Sequence, residues 1–86
     1  MPNDLPKQPN KRRLTPISHQ KLRCVFEKDG FTLRRQEGDH MIFAKLGCLR
    51  PVVIPTYREI DIEIIKSNMR TAGMTRERYF ELLDQC

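Results

Sequence analysis

Between Phe31 and Pro55, turn residues cut the chain into three short apolar runs, and this punctuation constrains the fold more than any other feature. "FTLRRQ", residues 31–36, alternates Phe31 and Leu33 with Thr32 and Arg34, which is the period of a strand. "EGD" turns the chain, and "HMIFAK", residues 40–45, is rich in β-formers, so the two runs read as an antiparallel hairpin. "LGC" turns it again. "RPVVIP", residues 50–55, sets a Val-Val-Ile centre between two prolines, which predicts an edge strand.

Helical patterns flank these strands. Ser18 is a good N-cap, and Ile17 and Leu22 stand at hydrophobic-staple spacing around it. Leu22, Val25 and Phe26 mark one helical face, and Gly30 sits where a left-handed C-terminal residue is wanted. After the connector "TYREI", Asp61 caps a second helix that ends at Gly73, with a buried stripe of Ile62, Ile65, Met69 and Ala72. Thr75 caps a last short helix, "RERYFELLDQ", which docks through Tyr79, Phe80, Leu82 and Leu83. The order α-β-β-β-α plus a short C-terminal helix predicts an α+β sandwich. A three-stranded antiparallel sheet carries helices on one face and leaves the other open to a partner. Double-stranded-RNA-binding domains share that layout and read RNA by shape and backbone contacts. The order of elements alone does not assign a function.

A chain of 86 residues allows one small domain. Such a core yields only about 3–5 kcal/mol of net stability, which favours a site of few side chains or a binding surface. Lys and Arg number 16 against 11 acidic residues, a net charge of +5. Residues 1–15 carry Lys7, Lys11, Arg12 and Arg13 against Asp4 alone, so the remainder is only mildly basic. That stretch has several prolines and little to bury, which predicts a disordered basic Pro-rich tail over 1–15 and a single domain over 16–86. "KRR" within it reads as a solubilising run, or as a helper in capturing anions. Cys24, Cys48 and Cys86 are scattered, odd in number and without CxxC spacing. They fit neither a disulfide framework nor a zinc site, so reduced thiols in a cytoplasmic protein are expected. No run of 18 apolar residues predicts a membrane span, and the N-terminus lacks the apolar stretch of a signal peptide.

Four segments in this order carry a resemblance: "DGF" at 29–31, "RRQEGDH" at 34–40, "VIP" at 53–55, and "IIKSNMRTAGMTRERYFELL" at 64–83. With them the chain resembles the HicA toxin family, also called YcfA-like proteins, over about residues 17–84. The resemblance implies a double-stranded-RNA-binding-domain-like fold and the toxin of a type II toxin–antitoxin system. The implied activity is ribosome-independent endonucleolytic cleavage of mRNA without metal or cofactor, which arrests growth. The implied partner of the free monomer is a HicB-type antitoxin, which masks the active site and regulates transcription. The family's catalytic histidine lies in a Gly-Ser-His motif opening the second strand, and that position here is His40, within Gly38-Asp39-His40. Asp39 departs from the small serine, and Tyr57 stands near where many members carry a second histidine.

RNA is cut when a base removes the 2′-hydroxyl proton and the oxygen attacks the adjacent phosphorus. A histidine suits the task, with an ordinary pKa of about 6.5. One placed acid or base supplies about 10²–10⁴-fold, and cations around the crowded phosphate add to it. Strict alternation puts His40 on a face with Ile42 and Ala44, while Met41, Phe43 and Lys45 point the other way. If Phe31 and Leu33 join the core, Arg34 shares the open face with His40 and becomes the first candidate for a phosphate contact. Arg35, Lys45 and Arg50 are weaker candidates. Asp39 points away from His40 in a regular strand, and in a turn approaches the ring, where it also repels phosphate. Tyr57 reads either as a donor supporting the histidine or as a cap on the sheet. His19 lies in the first helical turn, where the dipole disfavours a cation, and is expected to be solvent-exposed and non-catalytic. Cys24 is expected in the core and Cys48 exposed in a turn. Two further functions fit the same residues: a non-catalytic RNA-binding module, and an antitoxin-binding module with decayed activity.

Overall fold

The computed structural model describes residues 12–86. The elements are α1 (His19–Lys28), β1 (Thr32–Glu37), β2 (His40–Ala44), β3 (Val52–Pro55), α2 (Ile62–Ala72) and α3 (Arg76–Leu83). The strands form one antiparallel sheet in the order β1-β2-β3. This is the expected α+β layout with a terminal helix and an open sheet face.

The helix ends follow from their capping chemistry. The side chains of Ser18, Asp61 and Thr75 accept from the backbone N–H groups of Lys21, Ile64 and Arg78. Each thereby satisfies a donor that the first turn leaves orphaned. At the end of α1, Gly30 N–H bonds to the Glu27 carbonyl and Phe31 N–H to the Phe26 carbonyl. That double closure needs a left-handed residue, and Gly30 supplies it with φ 101°.

The core lies between the sheet and the helices. Phe31, Met41, Phe43, Val52 and Ile54 face Leu22, Val25, Phe26, Ile65, Met69, Tyr79 and Phe80. Full burial of a side chain such as Phe26 contributes about 1.5–3 kcal/mol. Phe31 joins this core, but Leu33 is 39% exposed, because β1 is an edge strand whose residues are all exposed.

The expectations of reduced thiols and of an exposed Cys48 are corrected, and the chain before residue 16 makes contacts of its own. Packing begins earlier than residue 16: Leu14 is buried in the core, and Arg12 makes an ion pair with Asp84 at 2.8 Å. The rest of the expected tail, residues 1–11, lies outside the described residues. The cysteines are not all reduced. Cys24 on α1 and Cys86 beyond α3 form a disulfide across 62 residues. Packing of α1 against α3 brings their Cα atoms to 6.1 Å, a proximity that no local spacing reveals. Cys48 is free and half-buried rather than exposed, with Sγ 3.3 Å from the Arg50 carbonyl oxygen.

Candidate functional site

The β1–β2 hairpin closes through the two-residue loop Gly38–Asp39. Gly38 has φ 60°, the positive value that a type II′ hairpin turn needs at its first loop position. The turn sets His40 as the first residue of β2, opposite Glu37 on β1 and Pro55 on β3. Met41 and Phe43 are buried toward the helices, so the period of two places His40 on the open face. Its side chain is half exposed.

Asp39 belongs to the turn and does not follow strand alternation. Its Oδ1 stands 3.1 Å from His40 Nδ1. A carboxylate against Nδ1 favours the tautomer with its proton there and leaves Nε2 as the ring's accessible nitrogen. Among the described residues, no hydrogen bond or ion pair engages Nε2.

A β-bulge changes which arginine shares this face. Leu33 pairs with Phe43, but Arg35 pairs with Ile42, so Arg34 is an extra residue in the ladder. The bulge resets the alternation, and opposite residues share a face. Arg35 therefore lies on the His40 face with Ile42 and Val53, contrary to its expected orientation. The Arg35 guanidinium forms a salt bridge with Glu37, the residue paired with His40. Arg34, at the bulge, is exposed and makes no hydrogen bond or ion pair among the described residues. Along β1, Arg35 thus shares the face of His40 while Arg34 stands at the bulge, and the carboxylates Glu37 and Asp39 lie beside the histidine.

Lys45 and Arg50 are at the other end of the sheet. Lys45 is five residues from His40, about 17 Å along an extended chain. Its Nζ lies 3.5 Å from Asp29 Oδ2 and 5.6 Å from the centre of the Phe31 ring. Arg50 precedes β3 at the end remote from Pro55. Both border a groove of about 740 Å³ with Leu46, Leu49 and Arg70. This groove does not include His40, which lies on the open sheet face at the opposite end of β2.

The connector after β3 is tied to the Gly38–Asp39 turn. Thr56 donates from both its N–H (2.7 Å) and its hydroxyl (3.2 Å) to the Asp39 carbonyl. Tyr57 is 47% exposed, and its backbone carbonyl lies 2.8 Å from His19 Nδ1. His19 is therefore half-buried and engaged rather than free in solvent. Its position at a helix start gave no sign of this, because the partner is a backbone atom 38 residues away. Among the described residues, no cluster of three or more His, Cys, Asp or Glu side chains could hold a metal ion. No helix in the same range is long and apolar enough to cross a membrane.

A family model described as "HicA toxin of bacterial toxin-antitoxin" matches residues 19–74, more than half of the chain. No curated protein matches the sequence.

Proposed function

The chain belongs to the HicA toxin family of bacterial toxin–antitoxin systems, and from that premise we propose that it is an endoribonuclease that cleaves mRNA with His40. The observation that carries this reading is the half-exposed His40 ring on the open sheet face, with Asp39 against Nδ1 and arginines along the neighbouring strand. Nε2 removes the 2′-hydroxyl proton, the oxygen attacks phosphorus, and the 5′-oxygen departs. Arg34 and Arg35 hold the phosphate and offset its growing charge. Binding RNA draws Arg35 from Glu37, an exchange that exposed ion pairs permit because they contribute only about 0–1 kcal/mol. Lys45 and Arg50 meet the strand farther along. Tyr57, next to Thr56 on the connector, supports the histidine's surroundings in this reading. A HicB-type antitoxin covers the open face and blocks RNA. In this reading the toxin acts in the cytoplasm, as a monomer once its antitoxin is gone.

One observation favours a second reading, a module that binds RNA or antitoxin without cutting. Glu37 and Asp39 both lie beside His40 and repel phosphate there. Expression of the wild type and of His40→Ala, with purified RNA treated by each, separates the two. The first reading expects growth arrest and cleavage by the wild type alone. Equal behaviour of both proteins rejects it, and salt-sensitive retention of intact RNA supports the second.

A further inference from the structure

We propose that His19 is a positioning residue, which clamps the 56–59 connector and thereby fixes the turn that presents His40. The inference rests on the reading of His40 as the catalytic group. A backbone carbonyl can only accept, so the 2.8 Å contact to Tyr57 is a donation from His19 Nδ1. The neutral ring makes that bond as the Nδ1–H tautomer, and the protonated ring makes the same bond. The clamp therefore holds whatever the charge of His19.

The connector has no regular structure of its own between β3 and Ile60. It is tied at each end. Thr56 N–H and hydroxyl both reach the Asp39 carbonyl. Ile60 exchanges two backbone hydrogen bonds with Ile17, at 2.7 and 3.3 Å. His19 secures the span between them. One route of contacts and adjacent residues then runs from His19 to Tyr57, Thr56 and Asp39, whose Oδ1 meets His40 Nδ1 at 3.1 Å. Releasing the Tyr57 carbonyl frees Thr56 to drift, and the Asp39 turn loses the partner that holds its carbonyl. The His40 ring then samples orientations away from the attacking geometry.

A histidine is not needed there for helix formation. The helix has its cap in Ser18, and a cation in the first turn is disfavoured. What the residue brings is an N–H donor at a fixed reach. Asparagine, whose side-chain amide nitrogen sits close to where Nδ1 does, can replace that donor. Alanine cannot, and phenylalanine keeps the bulk of the ring without the donor.

The test uses the full chain as wild type, His19→Ala, His19→Asn and His19→Phe. Two readouts are taken: cleavage kinetics on a defined RNA, and NMR of the Thr56 amide exchange and the His40 ring chemical shifts. His19→Ala and His19→Phe should lower kcat by up to about a hundredfold with KM nearly unchanged. Both should speed Thr56 exchange and move the His40 ring signals, and His19→Asn should restore all three. Wild-type kcat in the phenylalanine variant, or asparagine performing no better than phenylalanine, overturns the proposal. Should alanine fail to fold, the phenylalanine and asparagine pair still decides it. Should the wild type cut no RNA, the ribonuclease reading fails, and the NMR readouts alone judge the clamp. Thr56 exchange and His40 signals that ignore all three substitutions reject it.

Discussion

Tyr79 is a large side chain sealed in the core, and its hydroxyl finds no hydrogen-bond partner among the described residues. Burial pushes the phenol from 10.0 up to about 12, outweighing the pull of the Arg12 guanidinium. Below pH 10 the phenol is neutral in both folded and unfolded chains. Above it the unfolded chain ionises first, so stability falls as pH climbs from about 10 toward about 12. Tyr79→Phe removes the unpartnered hydroxyl and this alkaline loss together. Denaturant unfolding at pH 7 should find the variant as stable as wild type or more so, by up to about 1 kcal/mol. Its stability should also stay flatter through the alkaline range. Glu37 poses a different question at the same scale, because it holds Arg35 and adds negative charge beside His40. Glu37→Gln should tighten RNA binding about three- to fivefold in low-salt fluorescence anisotropy. An unchanged affinity would place Arg35 outside the interface.

Among the elements, what the sequence makes legible is local. Ser18, Asp61 and Thr75 identify helix starts because an N-cap satisfies donors three residues away. Gly30 and Gly73 identify ends because the backbone there is left-handed. The prolines around Val52–Ile54 correctly put β3 at an edge. What stays hidden depends on pairing between distant residues. The bulge at Arg34 exists only in the register of β1 against β2, so strict alternation assigns Arg35 to the wrong side. The place of His40 just after the turn is legible from Gly38 and Asp39, whereas the contact of His19 is not, since its partner is a carbonyl 38 residues away. The Cys24–Cys86 bond likewise needs α1 to lie on α3. Opening it with a reductant should lower the melting temperature, with a loss of up to about 4 kcal/mol from the restored freedom of the unfolded chain. An unchanged melting temperature would show that the bond adds nothing to the packing of α3. Gly73→Ala should destabilise the molecule by about 1 kcal/mol in thermal unfolding, because a side chain is forced to φ 64° at the end of α2.

Taken whole, the molecule divides its labour between two faces and two ends. The helices cover one face of the sheet and supply the core. The other face carries His40, Arg35, Ile42 and Val53. Along the sheet, the turn at Gly38–Asp39 and the 56–59 connector form one end, while Lys45, Arg50 and the groove form the other. A strand of RNA lying across the open face would meet chemistry at the first end and only holding contacts at the second. Arg35→Ala should therefore lower the cleavage rate about tenfold or more. Lys45→Ala and Arg50→Ala should weaken binding while leaving the chemical step nearly unchanged. Single-turnover kinetics at saturating protein separates these effects. The most direct measurement for the account as a whole is the chemistry of the RNA ends made by purified protein. Fragments ending in a 2′,3′-cyclic phosphate, produced by the wild type and absent with His40→Ala, are the predicted result. Intact RNA, or the same fragments from both proteins, would contradict it.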